Sequence, residues 1–308
     1  MLNFANFDDD APYVFTLLSH LAYLLSAPRI TPWAQVRGFQ LETVWFDFLH
    51  VSPLGIERNS AGSILIDLLE SDLLGPVGCN LDVALKRVWV QLRHWSTSKG
   101  MCAPTGTAFS LVSLGRGQSA QEFPGLSSSF KAMAVRTVTV FLADLCYKLD
   151  AGDRNSKLRS ACTWGLAEMH HVFNTGGLVL TREEAARARH GGLVHLRSYL
   201  LLAHGAIQRG RRLYKLWPKH HSLWHICHRL STLRLNPWIL SCLRDEDALG
   251  RFKKVARRCH ARTASKRFLT RWMAVLCEEW RTVGRVLCPY RERAVFDSFD
   301  GRFVGRVG

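Results

Sequence analysis

Asp47 and His50 stand three residues apart in Trp45-Phe46-Asp47-Phe48-Leu49-His50, directly after an apolar run. At that spacing a carboxylate and an imidazole can face the same side of a tight turn or a first helical turn. The carboxylate could then help hold a metal ion or fix the orientation of the imidazole. A plainer arrangement fits the same residues: Asp47 as a helix cap beside a buried, hydrogen-bonded His50. By residue chemistry alone the plainer arrangement is the expectation.

A second constellation is Trp217-Pro218-Lys219-His220-His221-Ser222-Leu223-Trp224-His225. His221 and His225 are spaced i,i+4, so on a helix they share a face, which is metal-ligand spacing. No Glu follows the first His as it does in the H-E-x-x-H hydrolases. Cys227, Cys242 and Cys259 are too far along the chain to complete a zinc site except through tertiary packing. The alternative is a basic helix whose His and aromatic residues pack.

The third is Asp245-Glu246-Asp247, followed by Arg251, Lys253 and Lys254. Acids at the start of a basic helix complement its dipole. They could equally supply a divalent-metal carboxylate while the cations behind them grip phosphates. Phosphate loops of the Walker or Rossmann spacing are absent, as is a G-x-S-x-G nucleophile elbow.

The fourth is the run from Arg251 to Arg285, with eleven Lys and Arg against Glu278 and Glu279. Phe252, Phe268, Trp272 and Trp280 are interleaved. The whole chain of 308 residues carries a net charge of +16, and the distribution is lopsided. Residues 1–150 hold 11 Lys and Arg against 13 Asp and Glu, whereas residues 151–308 hold 30 against 12. Such an excess implies a polyanionic partner, nucleic acid first and an anionic membrane surface second, with a merely basic surface as the plainer alternative. Phosphate contacts would fall to Lys219, Arg251, Lys253, Lys254, Arg257, Arg258, Arg262, Lys266, Arg267 and Arg271.

The elements that must position these groups read as helices. Leu81, Leu85, Val88, Leu92 and Trp95 fall on one face, with Asn80 as N-cap. Ile64, Leu65, Leu68 and Leu69 form a second stripe that ends before Gly75-Pro76. Phe130 to Leu145 and Leu158 to Phe173 give two more, the latter stopped at Asn174-Thr175-Gly176-Gly177. Thr181 with Glu184 makes a capping box for a helix running to about Gly210. Further helices are expected near 219–231, 244–258 and 262–287. Residues 98–127, rich in Gly, Ser and Pro, read as loop. Strand signals are confined to Thr43–Phe46 and a hairpin-type turn at Asp300-Gly301. The expected fold class is mainly α: a multi-helix domain with at most a small β element.

Hydrophobic residues make up 47% of the chain, enough for a sizeable core, and charged residues 21%, too many and too evenly spread for a membrane protein. No apolar stretch reaches the roughly 20 residues of a spanning helix. The acidic N-terminus lacks the basic start of a secretory signal. Nine scattered cysteines with no C-x-x-C pair fit reduced thiols, most of them expected in the core. The expected setting is intracellular, and nuclear if DNA is the partner.

In order along the chain, these constellations resemble those of CACTA-type cut-and-paste DNA transposases. Asp47-Phe48-Leu49-His50 with Leu54-Gly55-Ile56 resembles the D-x-x-H…L-G-V signature. Pro218-Lys219-His220-His221 with His225 resembles the later P-K-x-H-x-x-x-H segment, and Glu246 with Gly250 and Lys253 the E-R-x-x-G-x-x-K segment. Thr163-Trp164-Gly165-Leu166-Ala167-Glu168 looks like a divergent group of transposon-derived proteins of protist genomes. The resemblance spans about residues 40–285. It implies an RNase H-like core with two Asp and one Glu binding Mg²⁺, and a helical insertion before the Glu. Asp47, His50 and Glu246 are then the candidate catalytic residues, with Asp47 and Glu246 as metal ligands and DNA strand transfer or phosphodiester hydrolysis as the chemistry. In the family both catalytic Asp residues precede D-x-x-H on separate strands, and only 46 residues precede Asp47 here. The expectation is therefore an incomplete transposase, truncated at the N-terminus, that binds DNA, as a monomer or homo-oligomer, without completing the reaction. Residues 1–58 would be the core remnant, 59–215 the insertion-like helical region, 216–290 the basic helical region and 291–308 a tail or short hairpin. An active Mg²⁺-dependent enzyme, with Asp8 to Asp10 supplying a further acid, and a helical interaction scaffold with no nucleic-acid role are the alternatives.

Overall fold

A computed structural model of the chain describes residues 45–75, 78–104, 108–116 and 122–257, together with positions 37, 259, 267, 269–275, 277, 278 and 281; within 243–248 it describes the backbone alone. The chain divides into two compact units, Met1–Ser241 and Cys242–Gly308.

The described residues of unit 1 are mostly helical. Helix α1 (Phe48–Val51) runs through a π-helical segment (Ser52–Glu57) into α2 (Arg58–Glu70). Then follow α3 (Leu81–Ser98), α4 (Ala132–Lys148), α5 (Arg154–Thr175), α6 (Arg182–Gln208) and α7 (Pro218–Thr232). The fold is mainly α, as the periodicity implies. The β content among the described residues is one isolated antiparallel bridge, Val179 to Leu235.

Local chemistry sets the helix ends. The Asn80 side chain accepts from the N–H groups of Asp82 and Val83 at 3.0 and 3.2 Å. The Thr181 hydroxyl accepts from Glu184 N at 3.1 Å while the Glu184 carboxylate accepts from Thr181 N at 2.8 Å, so the capping box is closed from both sides. Asp153 caps α5 through Asn155 N and Ser156 N.

Two cores result. The larger one gathers the inner faces of α2, α3 and α4 with the C-terminal part of α6, and Tyr199 and Tyr214 are the largest of its fully buried side chains. The second joins Phe48 and Ile56 to α5, α6 and α7 through Met169, Phe173, Leu223 and Ile226. Helices α5 and α6 cross at two glycines. A Cβ on Gly165 would stand 2.3 Å from Gly191 O, and one on Gly191 would stand 2.7 Å from Gly165 O. Backbone meets backbone there, and any side chain would force the helices apart.

In the Gly/Ser/Pro-rich stretch Ser98 still belongs to α3, and the described residues after it are loop, but packed. Phe109 and Phe130 are buried against Trp89, Leu111 N donates to Asp82 Oδ1 at 2.8 Å and Leu126 N to Arg58 O at 3.0 Å. Of the strand expected at Thr43–Phe46, Trp45 and Phe46 are irregular chain, because their rings are engaged by α7 rather than by a strand partner; Thr43 and Val44 lie outside the described residues. The hairpin expected at 295–304 lies outside them too. The cysteines also depart from expectation. Three of the eight described, Cys146, Cys162 and Cys227, are buried, and Cys102 and Cys277 are exposed. Among the described residues no helix is long and apolar enough to cross a membrane.

Candidate functional site

Asp47 opens α1 as its N-cap, with φ −69° and ψ 107°. Its Oδ1 accepts from Leu49 N at 3.2 Å, and its Oδ2 is in a short contact with His50 Nδ1. The cap expected from the sequence is present. The buried histidine is not: the His50 side chain is about half exposed (51%). A four-residue helix at the surface turns that ring outward, where it meets Asp47.

The chain then widens into the π-helical segment, a turn that recurs at functional sites. Gly55 lies on it, and a Cβ there would stand 2.6 Å from His50 O and 2.7 Å from Lys219 Cδ. The gap that glycine leaves is filled by Lys219, whose Nζ donates to His50 O at 2.7 Å across 169 residues of sequence. The first two constellations of the sequence therefore meet in space. Phe46 stacks on His225 with centroids 5.5 Å apart and planes 15° from parallel, and the Arg229 guanidinium lies 5.2 Å over the Trp45 ring.

Helix α7 begins at Pro218, with Trp217 N donating to His220 Nδ1 at 3.1 Å. One turn later His221 and His225 face each other with Nε2 atoms 2.9 Å apart, a hydrogen-bond distance. Burial, then the neighbouring His221, Arg229 and His228, push the His225 pKa down to about 4, and burial lowers that of His221. Both rings are thus neutral at neutral pH, the form that ligates metals. No third His, Cys, Asp or Glu among the described residues gathers with these two within metal-binding reach. Trp224 lies between His221 and His228 in a near-parallel ladder, with interplanar angles of 9° and 10°. The helix thus carries both the ligand spacing and the aromatic packing that the sequence left open.

Two buried acids that the sequence reading missed hold this region. Glu57 closes the π-helical segment and is fully buried. It accepts from Ser52 Oγ at 2.6 Å and Thr139 Oγ1 at 2.8 Å, and His170 Nε2 lies 2.9 Å from both its oxygens. Burial alone would raise its pKa; the His170 charge and the hydrogen bonds from His170, Ser52 and Thr139 outweigh that and hold it below the usual carboxylate range. Asp67 on α2 is the second. Arg159 Nη1 and Tyr214 Oη reach its Oδ2 at 2.9 and 3.0 Å, and Arg211 Nη1 its Oδ1 at 2.9 Å. Nothing local in the sequence tells either acid from a solvated one, because Thr139, His170, Arg159 and Arg211 lie far along the chain. Sealed from solvent and paired, the two acids serve the fold rather than a substrate.

In unit 2, α8 spans Leu243–Ala256. It places Asp245 and Glu246 in its first turn, where acids complement the dipole, and Asp247 just after it. The Glu246 side chain lies outside the description. Beyond that turn the helix is two-faced: Arg251, Lys253, Lys254 and Arg257 are exposed, while Phe252, Val255 and Ala256 are half-buried. Phe252 packs on Trp272 edge to face at 5.4 Å. Arg267 and Arg271 are exposed, whereas Arg258, Arg262 and Lys266 lie outside the described residues.

Asp47 accepts from Leu49 N with one oxygen and meets His50 with the other. Each oxygen keeps a further lone pair, so these contacts leave the carboxylate able to ligate a cation. No protein-family model, curated protein or solved structure matches the chain.

Proposed function

We propose that this chain is a DNA-binding protein of transposase descent, lacking a complete catalytic centre and acting in the nucleus. The observation that carries the reading is the basic face of α8. At 100° per residue, Arg251, Lys253, Lys254 and Arg257 occupy one side of the helix and Phe252, Val255 and Ala256 the other. The aromatic and aliphatic residues anchor the helix to its own unit, so the four cations are presented together to a phosphate backbone. The charge excess of residues 151–308 supports the same partner. The transposase descent rests on the order of the D-x-x-H, P-K-x-H-x-x-x-H and Glu246 segments, the first two of which pack together through Lys219 and His225.

Binding of the full chain to a short DNA duplex, measured at increasing salt, tests this reading. Affinity should fall linearly on a log–log scale, by about 0.9 in slope per phosphate contact. Binding that is absent at low salt, or flat with salt, contradicts it. The catalytic alternative predicts strand cleavage with Mg²⁺. The scaffold alternative calls for basic residues dispersed around the surface, and the single face on α8 argues against that.

A further inference from the structure

Helix α6 is followed by Arg209-Gly210-Arg211-Arg212-Leu213-Tyr214-Lys215-Leu216-Trp217, four cations and no acid in nine residues. It lies in unit 1, apart in sequence from the basic run of unit 2. Connections of this composition are ordinarily mobile. This one is fastened at almost every residue.

Gly210 takes φ +66°, and the bonds Gly210 N to Ile207 O at 2.9 Å and Arg211 N to Ala206 O at 2.8 Å complete a Schellman ending. Arg211 turns inward to Asp67 and Glu70. Leu213 and Tyr214 are buried, and Tyr214 holds φ +55°, unusual for a residue with a side chain. Tyr214 N donates to Ser63 Oγ at 2.9 Å, its hydroxyl to Asp67, and the Tyr199 hydroxyl to Lys215 O at 2.9 Å. Arg116 reaches across from the 108–116 loop to donate to Arg212 O at 3.1 Å.

This bracing sorts the four cations. Arg211 is consumed by the fold, together with the two acids nearest the loop. Arg209 and Arg212 are exposed, and Lys215 is half-buried with its ammonium 4.0 Å from the Trp217 ring. With the backbone already fixed, binding through the exposed pair would need little ordering of the chain itself. The backbone strain at Tyr214 is maintained by buried partners, which is how strain persists at working sites.

We infer that the turn 209–217 is a second nucleic-acid contact, a preformed phosphate-binding surface on unit 1 in which Arg209 and Arg212 grip the DNA backbone alongside the α8 face of unit 2. This rests on the DNA-binding reading and extends it: the protein engages DNA at two separate basic surfaces, one on each unit. Two linked contacts raise avidity without new specificity.

The test compares two variants of the full chain, R209Q/R212Q and K253Q/K254Q, for binding to a short duplex across a salt series. Each removes two charges from exposed side chains and should leave the unfolding midpoint unchanged. The salt slope of each should fall by about 1.8, and R209K/R212K should keep the wild-type slope. Wild-type slope in R209Q/R212Q, with loss in K253Q/K254Q, overturns the second contact and leaves the α8 reading standing. A wild-type chain that binds no DNA overturns both. Loss of R209Q/R212Q binding to phosphatidylserine vesicles, with DNA binding unchanged, overturns the inference in favour of a lipid partner.

Discussion

Arg211 Nη1 and Asp67 Oδ1 meet 2.9 Å apart, tying the turn after α6 to the middle of α2. The same carboxylate holds Arg159 from α5 and the hydroxyl of Tyr214, so one buried acid fixes three segments. Removing it would strand a buried guanidinium, because the Arg159 side chain is only 6% exposed. Asp67→Ala should therefore destabilise unit 1 by about 3–5 kcal/mol, read from chemical denaturation. A change below about 1 kcal/mol would mean the network is not what holds the turn.

Glu57 sets an acid limit on stability. Its pKa is lowered in the folded chain from an ordinary 4.5. A depressed carboxylate contributes stability that is fully present above the unfolded value and disappears as pH falls through the folded one. Wild-type stability should thus keep this contribution from neutral pH down to about 5 and lose it below about 4.5. In Glu57→Gln the step below 4.5 should shrink, with lower stability at pH 7. Denaturation midpoints across pH 3–7 check both; an acid step of equal size in the variant would show that other groups produce it.

The crossing of α5 and α6 has no room for a methyl group. Gly165→Ala should cost about 1–3 kcal/mol, since the added Cβ meets the Gly191 carbonyl rather than a side chain that can swing away. Gly78→Ala is a useful contrast, because nothing lies within 4 Å of its Cβ position and any cost comes from its φ of +82° alone. Thermal unfolding of the two should rank Gly165→Ala as the more damaging.

Much of this fold is legible in the sequence because helices announce themselves locally. Apolar residues recur at three and four, and Asn80, Thr181 and Glu184 mark helix starts by chemistry contained within one turn. The π-helical segment is not legible, since Pro53 and Gly55 read as a break while the wider hydrogen-bonding turn keeps the chain helical. The buried acids are not legible either. Glu57 finds His170 after 113 residues and Asp67 finds Arg211 after 144, distances over which periodicity carries no information. At the candidate site the spacing of His221 and His225 was readable, but that Lys219 would reach the backbone of His50 was not, because only the packing of Gly55 makes room for it.

Cysteine reactivity should follow burial rather than residue type. Burial pushes the Cys146 and Cys227 thiols up to about 12 and raises Cys162 as well. These three should resist a thiol reagent in the folded chain, while the exposed Cys102 and Cys277 react first. Mass-resolved labelling under native conditions checks the order. Early modification of Cys162 would contradict the packing of α5 against α6.

If the exposed cations on α8 hold a DNA backbone, duplex binding must depend on salt differently in the wild-type chain and in the charge-reversed variant K253E/K254E/R257E. The wild type should bind at low salt with a steep log–log slope, and the variant should show a slope lower by about 3 together with much weaker affinity. Equal slopes for the two proteins, or a wild type that does not bind, would contradict that role of α8.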